Sequence, residues 1–395
     1  MSPSARVQAA IELLDAIIAA ARSGGAAADT LIANYFKTRR YAGSKDRRAV
    51  RELVYRAVRR YGDPPASGRE AMLGLAAEDS ELLAAFDGGG HGPAPVAPGE
   101  TAARGPSVSV PWWLSSRFDP VVSSDEWPSL LGRAPLDLRV NRLKGTREDA
   151  LAALAEAEPT PLSPLGLRLP EGTRVEELAA WRSGLVEVQD EGSQLLALAC
   201  GAEPGMTVLD LCAGAGGKTL ALAAEMADEG RLFASDTDRS RLSRMAPRLQ
   251  RAGVSIAETI LLNPNAERDA LALLKGACDL VLVDAPCSGT GTWRRNPELR
   301  WRLTPDRLER LVKLQAYLLD LAAELVRPGG ILVYAVCSLL EEEGRGQAEA
   351  FGARSGLVPE APAIEGGRAA GPGLILTPGH DGTDGFFVAR WRAPC

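Results

Sequence analysis

Asp279-Leu-Val-Leu-Val-Asp284-Ala-Pro-Cys287-Ser-Gly-Thr-Gly291 is the stretch whose reading decides the fold. Four of the five residues at 279–283 are apolar and do not alternate with polar ones. That is the pattern of a parallel strand covered on both faces. Asp284 then stands at the strand's carboxyl end, where open α/β sheets place their ligands. Pro286 cannot extend the ladder, and Gly289 and Gly291 allow a sharp turn and a close approach to a ligand. The thiol of Cys287 is therefore presented at a sheet edge.

Around this strand the chain alternates. Strands are expected at 207–211, 231–236, 255–261 and 331–336, with helices at 219–226, 238–252 (kinked by Pro247) and 305–326, and a late strand at 385–391. Such alternation implies a doubly wound, mostly parallel sheet. The loop Cys212-Ala213-Gly214-Ala215-Gly216-Gly217-Lys218 follows the first strand. Its glycines let a helix N-terminus approach a ligand, and Asp236, closing the second strand, suits ribose hydroxyls. The spacing is not G-x-G-x-x-G, and no G-x-x-x-x-G-K-[ST] occurs. This leaves a dinucleotide enzyme, an adenosylmethionine enzyme, or a turn that only packs.

Cys337 follows the fifth strand in Val333-Tyr-Ala-Val-Cys337-Ser338. Strands four and five are neighbours in a doubly wound sheet, so Cys287 and Cys337 are expected to face one cleft beside Asp284. Either cysteine alone would more often be structural; two at adjacent strand ends favour chemistry. Cys212 is expected to line the glycine loop, and Cys200, Cys278 and Cys395 to be inert.

Composition narrows the chemistry. With 46% hydrophobic and 24% charged residues, the chain is of ordinary globular type. No apolar run approaches the roughly 20 residues of a membrane span. Glu12 and Asp15 interrupt the apolar segment 11–21, which is unlike a signal peptide. A cytoplasmic protein, without membrane partner and monomeric, is expected. Only two histidines, His91 and His380, are present, and no C-x-x-C pair. A Ser-His-Asp triad, a multi-histidine metal centre and a zinc ribbon are thereby disfavoured, and a cysteine is the best-placed nucleophile.

The net charge of −6 is unevenly spread: residues 37–60 carry ten basic and two acidic side chains, a local +8, leaving −14 elsewhere. The segment reads as helical, with Val50, Leu53, Val54, Ala57 and Val58 inward. Its arginines form either a solvated face or a phosphate-binding surface. Other helices are expected from residue 5 onward, after an Asp29 N-cap, and at 73–86. Residues 87–109, ten of them Gly or Pro, read as a flexible linker. A small α+β module follows, with strands at 136–141, 165–169 and 184–188 and a Thr-capped helix at 146–156. Arg139, Asn141, Arg142 and Lys144 are either RNA contacts or exposed strand-end residues. Trp293, Arg294, Arg295, Arg300, Trp301 and Arg302 mix cations with aromatics, which suits phosphate contacts and base stacking, or else mark a core edge.

The chain resembles the RNA (cytosine-5-)-methyltransferases of the RsmB/Nop2/Sun family. The matching stretches are Leu138-Arg-Val-Asn141-Arg-Leu-Lys144, Val188-Gln-Asp-Glu-Gly-Ser-Gln194, Asp210-Leu-Cys-Ala-Gly-Ala-Gly-Gly-Lys-Thr219 and Asp284-Ala-Pro-Cys-Ser-Gly-Thr-Gly291. Arg327-Pro-Gly-Gly330, Tyr334-Ala-Val-Cys-Ser338 and Gly382-Thr-Asp-Gly-Phe-Phe387 complete the set. Residues around Asp46-Arg-Arg and Leu53-Val-Tyr resemble the NusB-like helical domain of the RsmB branch. The resemblance implies four segments: a NusB-like RNA-binding domain (1–86), the linker (87–109), a small α+β RNA-recognition module (110–195) and a Rossmann-like class I methyltransferase domain (196–395).

It further implies S-adenosylmethionine as cofactor and RNA as partner, ribosomal RNA first and transfer RNA second. Cys337 would be the nucleophile toward C6 of cytosine, and Cys287 would assist loss of the C5 proton. Asp284 would hold the cytosine edge, and Lys218 would help activate Cys337. Residues 212–218, Asp236, Asn263 and Asp284 would bind the cofactor. Departures from the family pattern are Gly214-Ala215 for the usual Ala-Pro, Asn263 for an acid, Val336 for Thr, and Glu341-Glu-Glu-Gly for Pro-Glu-Glu-Asn. They motivate an alternative: a non-catalytic RNA-binding assembly factor keeping a relic cofactor fold.

Overall fold

A computed structural model describes residues 1–100 and 110–395. Residues 101–109 of the expected linker lie outside the described residues. Compactness divides the chain into two units. One comprises Met1–Arg117, Trp127–Gly132 and Trp293–Thr304; the other comprises Phe118–Glu126, Arg133–Thr292 and Pro305–Cys395. Of the segment 110–195, residues 110–117 and 127–132 group with the first unit and the rest with the second, and Trp293–Thr304 groups with the first unit although it follows the Cys287 loop in sequence.

The first unit is helical: α1 Pro3–Ser23, α2 Ala28–Thr38, α3 Ser44–Arg60, α4 Gly68–Ala76 and α5 Ser80–Ala84. Leu14, Ile17, Val50, Val54, Val58 and Met72 are buried in one core, each such side chain contributing about 1.5–3 kcal/mol. Asp29 is not an N-cap. Ala27 holds that position without a side-chain bond, and Asp29 instead accepts from Tyr55 Oη at 2.6 Å and pairs with Arg51 at 2.9 Å. The single helix expected over 73–86 is two, because Asp79 caps a new start by accepting from Leu82 N–H. The basic stretch is partly neutralised by acids that lie outside it in sequence. Arg39 pairs with Glu12, Arg51 with Asp29, Arg56 with Asp79 and Arg60 with Glu78.

Of the two readings of the tryptophan–arginine cluster, the core edge is the one observed. Trp293, Trp301, Arg294 and Arg300 are buried. Arg300 donates to the carbonyl of Val58 at 2.7 Å, Trp301 Nε1–H to that of Tyr61 at 3.0 Å, and Arg302 to that of Ala26 at 3.0 Å. Burial pushes the Arg300 pKa down to about 9. These side chains anchor their segment to the helical core and offer no stacking platform. The described part of the linker is likewise tied down: Arg69 binds Glu100 and the carbonyls of Ala94 and Pro95.

The second unit holds two sheets. In the small one, β1 Leu136–Val140, β2 Glu158–Pro159, β3 Gly166–Leu169 and β4 Val186–Val188 are antiparallel in the order β2-β3-β1-β4. Thr146 caps its helix, Arg147–Ala153, through a capping box with Asp149. The large sheet has β5 Thr207–Asp210, β6 Arg231–Asp236, β7 Ala257–Leu261, β8 Cys278–Asp284 and β9 Val326–Val336. They run parallel in the order β7-β6-β5-β8-β9, the doubly wound Rossmann-like arrangement. Beyond β9 the sheet continues antiparallel through β10 Val358–Glu360, β11 Arg368–Ala370, β12 Gly373–Leu376 and β13 Phe386–Arg392. Of these four only β13 was expected.

The helix expected over 238–252 is not kinked but broken, into Arg239–Leu242 and Met245–Ala252. Pro247 then falls in the first turn of the second helix, where its missing N–H has no intrahelical partner to lose. Among the described residues no helix is long and apolar enough to cross a membrane. None of them form a cluster of three or more His, Cys, Asp or Glu side chains able to hold a metal ion.

Candidate active site

Strand order places β5 between β6 and β8, so connections leave its carboxyl end in opposite directions and open a crevice there. Three acids close the three strands. Asp210 ends β5, Asp236 ends β6 and Asp284 ends β8. The glycine loop runs between them. Gly214 and Gly216 take φ of 57° and 85°, a left-handed backbone that side chains disfavour. Their turn delivers the helix Gly217–Glu225. The loop is held from both sides: Gly214 N–H donates to Asp236 Oδ2 at 2.9 Å, and Arg248 donates to the carbonyl of Ala215 at 2.6 Å. Ala213 N–H donates to the carbonyl of Ser235 at 2.8 Å. Cys212 is partly exposed, and desolvation pushes its thiol well above the usual range, which suits a wall residue and not a nucleophile. Asn263 is exposed just beyond β7.

Lys218 and Asp284 form the charged centre. Lys218 Nζ lies 2.7 Å from Asp284 Oδ2. Burial opposes the ammonium charge, yet the Asp284 carboxylate more than offsets it and the Lys218 pKa is raised. Asp284 keeps 31% of its side chain exposed, so it can meet a substrate while Lys218 fixes it from behind. Asp210 is fully buried. Its Oδ2 accepts from Thr219 Oγ1 at 2.7 Å, while Oδ1 has no partner among the described residues. Burial pushes its pKa up to about 7.

The two thiols meet. Asp284 pairs with Ala335 in the β8–β9 ladder, and Ala285 N–H donates to the carbonyl of Ala335 at 2.9 Å. Cys287 and Cys337 therefore leave adjacent strands at the same level, and their sulfurs lie 3.3 Å apart. Both are partly exposed. The hydrogen bond with Cys337, and then burial, push the Cys287 thiol well above its usual range. Gly291 has a role other than approach to a ligand. It donates to the carbonyl of Cys337 at 3.1 Å and accepts from Gly385 N–H at 2.8 Å. A Cβ on Gly291 would fall 1.9 Å from the carbonyl oxygen of Gly385. The Gly382–Phe387 stretch is thus laced onto the Cys287 turn backbone to backbone. Asp190, the N-cap of helix Glu191–Ala199, also accepts from Asp384 N–H at 3.1 Å.

Of the four residues in and after β1 that were either RNA contacts or exposed strand-end residues, two are internal. Arg139 is buried and donates to Gln189 Oε1 at 2.6 Å. Asn141 is buried and donates to the carbonyls of Gly184 and Ala252, each at 2.9 Å. Both lock the small sheet in place. Arg142 and Lys144 remain exposed, with Arg142 paired to Glu225 at 3.0 Å. Arg248 and Glu343 escaped notice in the sequence. No motif flags Arg248, and Glu343 stands in a run of three glutamates whose buried member only packing identifies.

The family described as 16S rRNA methyltransferase RsmB/F matches residues 197–392. The ribosomal RNA small subunit methyltransferase B of Salmonella typhi is 36% identical over 288 residues, covering 71% of this chain and 65% of that protein. A Synechocystis protein named probable ribosomal RNA small subunit methyltransferase B is 34% identical over 313 residues, covering 74% of this chain and 69% of the relative. The alignments thus span about two-thirds of these relatives' length. The solved structure of PH0851 aligns over 99% of both chains with a TM-score of 0.75 at 23% identity, a likeness of fold. A methyltransferase homologue from Pyrococcus horikoshii aligns over 68% of this chain and 90% of its own, with a TM-score of 0.60 at 27% identity. The crevice at β5, the glycine loop and the paired thiols are features of a chain that belongs to the RsmB/F methyltransferase family.

Proposed function

We propose that this protein transfers a methyl group from S-adenosylmethionine to C5 of a cytosine in ribosomal RNA, through a covalent bond between Cys337 and C6. The observation that carries this reading is the pair of sulfurs 3.3 Å apart beside the Lys218–Asp284 ion pair. The crevice fits the cofactor. Left-handed glycines bring backbone donors close, three strand-end acids suit its ribose hydroxyls and cationic groups, and Asp210 Oδ1 is a buried acceptor with no partner among the described residues. Residues 212–218, Asp236, Asn263 and Asp284 would hold it. When bound, S-adenosylmethionine supplies an electrophilic methyl group.

The chain's own residues do the rest. Cys337 attacks C6 as thiolate, the reactive form of a thiol, which makes C5 electron-rich. Asp284, fixed by Lys218, accepts from the cytosine amino edge and opposes charge building there. The C5 proton then passes to Cys287 in its thiolate form, the C5–H electron pair re-forms the C5–C6 double bond, and the Cys337–C6 bond breaks with Cys337 leaving as thiolate. The base must be unpaired or flipped, at a cost of about a few kcal/mol. Within the second unit the exposed Arg142 and Lys144 suit the RNA backbone, and within the helical unit so do exposed arginines of α3 such as Arg48. On this reading the protein works in the cytoplasm.

Incorporation of labelled methyl groups into ribosomal RNA tests the proposal. Cys337→Ala is expected to abolish it, and Cys287→Ala to accumulate an RNA adduct that survives denaturing electrophoresis. Unchanged turnover in Cys337→Ala refutes the mechanism. Methylation of transfer RNA instead of ribosomal RNA refutes the substrate. Calorimetry showing no binding of S-adenosylmethionine would favour a non-catalytic assembly factor.

A further inference from the structure

Glu343 is fully buried, yet among the described residues no lysine or arginine pairs with its carboxylate. A buried carboxylate without a cation is costly unless hydrogen bonds satisfy it, and here four donors converge on it. Oε1 accepts from Ser288 N–H and from Gln315 Nε2, each at 2.9 Å. Oε2 accepts from Ser288 Oγ and, at 2.6 Å, from Ser338 Oγ. Ser288 follows Cys287 in the chain, and Ser338 follows Cys337. One carboxylate therefore grips the residue after each thiol.

The grip is itself braced. Gln315 also donates to the carbonyl of Pro286 at 2.9 Å, one residue before Cys287. Tyr334 Oη donates to the carbonyl of Glu343 at 2.6 Å. Thr290 Oγ1 lies 3.1 Å from Ser338 Oγ and accepts from Leu339 N–H at 2.9 Å. Both loops are thus fastened at residues adjoining the cysteines, and the two sulfurs face each other across 3.3 Å. Four donors of fixed geometry around two oxygens admit little drift, and a displacement of about 1 Å at reacting atoms costs about 100-fold in rate.

We propose that Glu343 is a positioning residue of the two-cysteine site, its carboxylate setting the distance between Cys287 and Cys337 by holding Ser288 and Ser338 together. The proposal rests on the reading of these thiols as the working pair.

Phenylarsine oxide gauges the distance without RNA or cofactor. Its arsenic forms two As–S bonds to a pair of close thiols, and its oxygen leaves as water with the two thiol protons. In the full-length protein, Cys287 and Cys337 are expected to be bridged, as read by peptide mass spectrometry, and Cys287→Ala or Cys337→Ala to lose the bridge. Glu343→Gln, which keeps the shape and loses the charge and two acceptor sites, is expected to slow bridging about tenfold and to lower kcat about 100-fold, with KM for RNA within about twofold. Should Glu343→Gln fail to fold, the Ser288→Ala/Ser338→Ala double variant leaves the carboxylate in place and removes two struts. It is expected to shift both readouts the same way. A role in stability alone would lower Tm and leave bridging and kcat of the folded protein unchanged, and that result overturns the proposal. If the unaltered protein methylates no RNA, the functional reading falls, and the bridging rates still decide whether Glu343 sets the distance.

Discussion

Asp210 offers a test in which the sign and size both follow from its surroundings. The carboxyl ends β5, is fully buried, and has one oxygen without a partner among the described residues. Burial raises its pKa from 3.8 to about 7. Each unit of pH is equivalent to about 1.4 kcal/mol per proton, so ionising this group inside the fold costs about 4 kcal/mol more than in the unfolded chain. The folded pKa exceeds the unfolded one, so between about pH 4 and pH 7 the folded state binds more protons. The contribution of Asp210 to stability is therefore fully present below about pH 4, declines as pH rises through that window, and is gone above it. Asp210→Asn keeps the shape and a side-chain oxygen to accept from Thr219 but cannot ionise. Relative to the unaltered protein, it is expected to gain stability steadily from about pH 4 to pH 7, by up to about 4 kcal/mol, and to hold a constant advantage above. Urea unfolding of both proteins across this range measures the difference, and any fixed cost of the asparagine cancels from the trend. A stability difference that does not change with pH would refute the assignment of a raised pKa to Asp210.

Gly291→Ala places a methyl group 1.9 Å from the Gly385 carbonyl; it is expected to cost about 3 kcal/mol, read as a fall in Tm, and to separate the Gly382–Phe387 stretch from the thiol turn, read as faster amide exchange there. Arg248→Ala frees the carbonyl of Ala215 and is expected to weaken binding of S-adenosylhomocysteine about tenfold, or about 1.4 kcal/mol, in calorimetry; unchanged affinity would mean the loop holds its shape unaided. Trp301→Ala removes a buried ring and its bond to Tyr61 and is expected to destabilise the helical unit by about 3–5 kcal/mol. Trp301→Phe should spare RNA affinity, and its loss without loss of stability would restore base stacking as the function of this cluster.

The amino-acid sequence by itself determined the elements and their chemistry. An unbroken apolar run such as Leu280–Val283 has few alternatives to a covered parallel strand, and Gly214 and Gly216 mark a turn that other residues would strain. Such signals are local: hydrophobic period, proline and glycine act within a few residues, so β5–β9, the glycine loop and both cysteine turns were legible. The resemblance of spaced motifs then named the family before any contact was known.

What the tertiary structure alone decided depends on residues far apart in the chain. Whether an arginine faces solvent or a core is not written in its neighbours, and so Arg139, Arg294 and Arg300 stayed open between RNA contact and a structural place, and are buried. The acids that offset the basic stretch 37–60, Glu12, Asp29, Glu78 and Asp79, come from other helices. The short strands β10–β12 draw their order from pairing with β13 and with each other, not from a strong pattern of their own. The distance between Cys287 and Cys337, and the clamp that Glu343 makes across 55 residues of sequence to Ser288, exist only once β8 and β9 lie side by side. A hydrogen bond needs its partners placed within tenths of an ångström, and only the closed fold fixes positions that finely.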